Sequence, residues 1–93
     1  MTIKLSKFQI AETKTFDKSK KKIDKKLYDK IKNFVYPQLR ENPFYGTNIK
    51  KLKDNFEGYY RYRVGNYRLF YLVEEEKLII VVVDFKHRQQ AYD

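Results

Sequence analysis

Residues 59–71 read Tyr59-Tyr60-Arg61-Tyr62-Arg63-Val64-Gly65-Asn66-Tyr67-Arg68-Leu69-Phe70-Tyr71. Two runs of aromatic and branched residues flank a Gly-Asn pair, the local signature of a β-hairpin. A two-residue turn sets Val64 opposite Tyr67, Arg63 opposite Arg68, Tyr62 opposite Leu69, Arg61 opposite Phe70 and Tyr60 opposite Tyr71. Paired residues share a face of a sheet. One face therefore gathers Tyr60, Tyr62, Val64, Tyr67, Leu69 and Tyr71. The other gathers Arg61, Arg63, Arg68 and Phe70. Like charges directly opposite each other are destabilising. Arg63 against Arg68 thus implies either a compensating carboxylate or a bound anion. Guanidinium groups match phosphate oxygens bidentately, so a phosphate is the anion this arrangement suits.

Outward from the hairpin, the chain alternates from Ile3 to Ile10 and predicts a first strand. Thr13 or Thr15 can cap a short helix with Phe16 facing inward. Lys18 to Lys26 is a basic run, which reads as a solvated face or as non-specific attraction to RNA phosphates. Asp24 is a candidate N-cap for a second helix. Leu27, Ile31, Phe34, Val35 and Leu39 recur at helical spacing and predict its inward stripe. Pro37 predicts a kink or a tightened final turn. Residues 49–56 hold Lys50, Lys51 and Lys53 and are too short and charged for a core strand. After a Glu74–Lys77 turn, Leu78 to Phe85 is apolar and β-branched, as expected of a central strand buried on both faces.

This order predicts an α+β fold. An N-terminal strand and two helices pack on a mainly antiparallel four-stranded sheet, with the first strand able to pair in parallel inside it. The helices should cover the tyrosine face and leave the arginine face open. The length of 93 residues predicts a single domain over residues 1–93. The net charge of +9 (21 Lys and Arg against 12 Asp and Glu) points to nucleic acid or another anionic partner. Cysteine is absent and His87 is the single histidine, which excludes disulfides, thiol nucleophiles and Cys- or His-rich metal sites. No metal or cofactor is expected. No apolar run approaches a membrane span and no secretory signal is visible, so the expected location is cytoplasmic, without a membrane partner.

Asn42-Pro43, Leu52-Lys53, the run from Gly58 to Arg68, His87-Arg88 and Tyr92 together resemble the RelE family of toxins from toxin–antitoxin systems. The likeness covers nearly the whole chain and is most specific from Gly58 to Tyr71. It implies a RelE-like fold and a ribosome-dependent endoribonuclease, an mRNA interferase that cuts mRNA in the ribosomal A site and inhibits translation. It also implies a cognate antitoxin, which charge complementarity expects to be acidic. The related ParE branch, similar in fold, inhibits DNA gyrase instead. An inactive relative that only binds its antitoxin is a further alternative.

On this resemblance Arg68 matches the arginine that contacts the scissile phosphate, and Arg61 and Arg63 match the basic pair on the preceding strand. Arg88 and Tyr92 match a C-terminal arginine and tyrosine, and His87 a histidine of many members. Lys51 and Lys53 extend the candidate RNA-binding set. Asn66 stands where the family often has an acidic residue. Lys86 stands where it often has glycine. The implied cleavage is metal-independent attack by the RNA 2′-OH. Arginines can stabilise its charge but stay protonated. The proton carriers would be Tyr92, His87 or a lysine.

Overall fold

Thr13 joins the first strand to the first helix and serves both. Its Oγ1 donates to the Val83 carbonyl at 3.0 Å and accepts from the Phe16 N–H at 3.1 Å. Before it runs β1 (Gln9–Glu12), and after it α1 (Lys14–Lys20), whose Phe16 is wholly buried. The computed structural model describes residues 7–90. The expected strand from Ile3 to Ile10 falls partly outside them. Within them the strand starts at Gln9 and runs on to Glu12, because the Thr13 cap, rather than the apolar alternation, sets its end.

Asp24 caps α2 (Lys25–Lys30), its carboxylate accepting from the Leu27 N–H at 2.8 Å. A π turn (Ile31–Val35) and α3 (Tyr36–Glu41) continue the same helical run. The turn before Pro37 is therefore widened, not tightened. The Tyr36 N–H reaches back five residues to Ile31. A proline ring crowds the carbonyl four residues before it, and a wider turn makes room. The extra residue per turn re-phases the apolar stripe. Ile31, Val35 and Leu39 are buried as expected, but Phe34 is turned out to 61% exposure and Tyr36 takes an inward place.

The rest of the chain forms β2 (Ile49–Lys51), β3 (Tyr59–Val64), β4 (Tyr67–Glu74) and β5 (Ile79–His87). The sheet has five strands in the order β1-β5-β4-β3-β2, so the expected four gain β2 as an edge strand. An edge strand needs one partner only, and lysines there suit an edge left to solvent. β1 pairs in parallel with β5, the remaining pairs are antiparallel, and β1 lies at the other edge rather than inside the sheet. The hairpin register is the one its sequence dictates, from Val64 opposite Tyr67 to Tyr60 opposite Tyr71. Gly65 sits at φ 58°, a left-handed value that costs glycine little.

All helices cover one face. Tyr62, Val64, Leu69, Tyr71, Ile80, Val82 and Phe85 pack beneath them against Phe16, Ile31, Val35 and Leu39. β5 is thus buried on one face only, alternating half-buried and buried from Ile79 to Val83, which corrects the two-faced expectation. Leu78 belongs to the preceding turn, at φ 55°, and not to the strand. A bulge follows: Phe70 opposes Asp84 and Tyr71 opposes Val82, so Val83 is the extra residue. Among the described residues no helix is long and apolar enough to cross a membrane.

Buried hydroxyls find partners. Tyr71 donates to the Pro43 carbonyl at 2.7 Å and Tyr36 to Glu12 Oε2 at 2.8 Å. Glu12 also accepts from Tyr28 at 3.0 Å and Lys20 Nζ at 3.3 Å, tying β1 to α1, α2 and α3. Burial pushes the Tyr36 and Tyr71 phenols above the ordinary tyrosine range, and the Glu12 carboxylate adds to the rise at Tyr36. The fold thus favours their protonated forms. Their contribution to stability is full below about pH 10, where unfolded tyrosine ionises, and is lost as pH rises above it. An alkaline titration followed by tyrosinate absorbance should show these two phenols ionising only with unfolding. Tyr71→Phe should cost about 1 kcal/mol in chemical denaturation, the worth of its bond to Pro43.

Candidate functional site

The face away from the helices is set by the same alternation. Tyr62, Val64 and Leu69 point into the core, so Arg61, Arg63 and Arg68 point out. Register across three strands aligns Arg63 of β3, Arg68 of β4 and Lys86 of β5 in one row near the hairpin turn. The next row runs Lys50, Arg61, Phe70 and Asp84 from β2 to β5.

The arginines are held by backbone oxygens. Arg68 Nη1 donates to the carbonyls of Tyr67 at 3.1 Å and Gly65 at 3.4 Å, folding its guanidinium back on the turn. Arg61 Nη1 donates to the Asn48 carbonyl at 3.0 Å, which also accepts the Arg63 N–H at 2.9 Å. Arg63 is exposed, and no ion pair found among the described residues includes it. Asp84 is the carboxylate one row away. Its Oδ1 accepts from Ser19 Oγ at 2.5 Å and from the Phe85 N–H at 2.8 Å, while Oδ2 lies 3.9 Å from Lys86 Nζ. Much of its charge is therefore engaged before it can offset the arginine row.

The other expected residues divide. Arg88 opens a 3-10 turn (Arg88–Gln90), and its N–H donates to the Asn66 carbonyl at 2.7 Å. The segment after β5 is thereby docked on the hairpin turn, close to Arg68. His87 belongs to the opposite face. It is paired with Tyr67 and meets that ring edge-on at 5.2 Å, while Tyr67 stacks on the buried Phe85 at 4.9 Å. Its Nδ1 accepts the Gln89 N–H at 3.3 Å, so the neutral ring carries its proton on Nε2. Tyr92 lies outside the described residues. Lys51 pairs with Tyr60 and so shares the helix-covered side, unlike its neighbour Lys50. Lys53 lies past the end of β2, and both line a shallow cavity of about 410 Å³ at that sheet edge. Neither joins the Arg68 row.

Lys86 is the residue that the sequence reading left out of the site. The signal was present: counting by twos from the inward Phe85 puts Lys86 on the arginine side. Its place opposite Arg68, however, depends on the bulge at Val83, which no local pattern announces. Chemically the row is a line of fixed positive charge on the face away from α1 to α3. It is suited to bind an anion and to stabilise charge developing on one.

The model of the ParE toxin of type II toxin–antitoxin systems (parDE) matches residues 10–92. The chain belongs to this family. It is therefore a toxin of a type II toxin–antitoxin system within the RelE/ParE superfamily. Solved structures agree in fold. The toxin–antitoxin complex RelBE2 of Mycobacterium tuberculosis matches with a TM-score of 0.77 at 23% identity, covering 87% of this chain and 98% of that one. A chain of the RelB–RelE complex of Methanococcus jannaschii is 30% identical, with a TM-score of 0.66 over 84% of this chain and 89% of its own. A chain of the heterotetrameric YoeB–YefM complex of Staphylococcus aureus is 27% identical, with a TM-score of 0.66 over 86% and 95%. No curated protein matches the sequence. The RelE resemblance thus holds at the level of the superfamily, and the matching family model is that of the ParE branch.

If Arg63 and Arg68 repel across the hairpin, this ParE-family toxin carries strain that a charge reversal should relieve. Arg63→Glu should raise stability by a few tenths to about 1 kcal/mol, more at low salt than at high. Thermal unfolding across a salt series measures this, and a destabilised variant would show that the row is not a site of repulsion.

Proposed function

We propose that this toxin is a ribosome-dependent mRNA endoribonuclease that cleaves without a metal ion. The observation that carries the reading is the alignment of Arg63 and Arg68 in register on the face away from the helices, with the Arg88 segment docked on the same turn. A surface that only attracts acidic partners needs charge, but not cations set opposite one another in register. The likeness to the archaeal RelE chain at 30% identity supports the same reading.

In the reaction the 2′-oxygen of the RNA attacks the adjacent phosphorus and the bond from phosphorus to the 5′-oxygen breaks. The products are a 2′,3′-cyclic phosphate and a 5′-hydroxyl. The 2′-OH gives up its proton and the 5′-oxygen takes one. Arg68 is assigned to the scissile phosphate, with Arg61, Arg63 and Arg88 neutralising charge around it. His87 and Tyr92 are the candidate proton carriers. The ribosome would hold sugar and phosphate in line, a placement worth much of the rate. The cytoplasm is the compartment that this reading requires. The antitoxin partner is assigned an acidic surface that covers the arginine face when the toxin is silent.

The family model favours a second reading, gyrase inhibition of the ParE type. Three measurements separate the two. Primer extension on mRNA after brief expression should show new 5′ ends within coding regions. Arg68→Ala should abolish both these cuts and growth arrest, a loss of at least about 100-fold. Its unfolding midpoint, measured alongside, separates loss of activity from loss of fold. Inhibition of supercoiling by purified toxin, without mRNA cuts, would transfer the protein to the second reading.

A further inference from the structure

Beside the arginine row the uncovered face turns aromatic. Phe70 follows Arg68 by two residues on β4, roughly 7 Å along the strand. The 3-10 turn Asp54–Phe56 folds over the end of β3, closed by the Phe56 N–H to the Lys53 carbonyl at 3.1 Å and the Glu57 N–H to the Asp54 carbonyl at 3.2 Å. It brings the Phe56 ring edge-on to Tyr59, at 6.5 Å and 90°. Phe56, Tyr59 and Phe70, with Val83, Asp84 and Lys86, enclose an open cleft of about 280 Å³. Its walls are mostly apolar, yet none of those three rings is fully buried and Phe56 is 38% exposed.

The layout of the cleft matches the layout of a nucleotide. A flat apolar base needs an aromatic slot, and its phosphate needs cations one nucleotide step away. Lys86 belongs to both parts, lining the slot and standing opposite Arg68 in the row. Asn55 at the rim can donate to and accept from a base edge. We propose that this cleft is a nucleobase subsite, stacking one unpaired base of a single-stranded RNA whose neighbouring phosphate lies on Arg68 and Lys86. The inference rests on the RNA reading above and adds to it where the strand next to the bound phosphate goes. Aromatic stacking of this kind tolerates any base, because every base has a π-face.

The test uses the whole chain and a short, dye-labelled single-stranded RNA that is 2′-O-methylated at every ribose, so that it cannot be cut. Anisotropy titrations at several salt concentrations give affinity and salt slope. Phe56→Ser should weaken binding by about 5- to 100-fold, the usual loss of one stacked base. Phe56→Trp, which keeps a ring, should bind as the parent does. Lys86→Ala should reduce the salt slope by about one phosphate's worth. Failure of the parent to bind the RNA at low salt, or parent-like affinity of Phe56→Ser, would overturn the subsite. So would a Phe56→Ser variant with unchanged RNA affinity that escapes neutralisation by its co-expressed antitoxin, since the cleft would then be a protein contact. RNA binding lost in Phe56→Ser by a chain that cuts no mRNA in cells would sustain the subsite while sinking the nuclease. Cleavage that depends on Arg68, combined with unchanged RNA affinity in Phe56→Ser, would do the reverse.

Discussion

The Gly65–Asn66 turn pins a register in which Tyr62, Val64, Leu69 and Tyr71 all enter the core. A slip of one residue would send either Arg61 and Arg63 or Arg68 inward, because strand side chains alternate with a period of two. Guanidinium groups stay charged at any relevant pH, and burying them unpaired is prohibitive. The burial of the tyrosine face and the display of the arginine face are therefore one event. Arg63 and Arg68 stand opposite each other as a consequence of the register that buries the rings.

Much of the remaining chain covers the tyrosine side of this hairpin. The helical run over residues 25–41 packs on the tyrosine side, and its π turn lets Pro37 sit within a continuous cover. Glu12 holds that cover to the sheet through Tyr28, Tyr36 and Lys20. A carboxylate in so basic a chain is well placed as a clamp, since a cation and two phenols can share it. β5 carries the arrangement to the arginine side, placing Lys86 opposite Arg68 and docking Arg88 on the turn.

The result is a surface with a cationic row at one end and an aromatic slot beside it. For a toxin of the RelE/ParE superfamily such a face can serve two states. Nucleic acid would meet it through phosphate and base, and an antitoxin through carboxylates. On the proposed reading, the charge that would draw RNA in would also draw the antitoxin, and silencing would be a competition for one face.

Local chemistry decided much of this chain. The turn at Gly65–Asn66, the cap at Asp24, and the split of the hairpin into tyrosine and arginine faces need only near neighbours, so the sequence by itself determined them, whereas it left Thr13 and Thr15 both open as the first cap. It also determined that Arg61, Arg63 and Arg68 share a side, because alternation across a two-residue turn leaves no choice. Tertiary structure alone decided the rest. Phe34 belongs to the apolar stripe by spacing but is turned out by the π turn. Leu78 to Phe85 reads as doubly buried, yet helices reach only one face of it. His87 and Arg88 are adjacent in the chain, but His87 lies against Tyr67 on the far face while Arg88 is fastened to Asn66. Lys86 meets Arg68 only through a pairing between strands joined by an irregular turn and a bulge. Each of these depends on which strand lies beside which and where a ladder skips a residue. That is a property of long-range packing, and no window of neighbouring residues contains it.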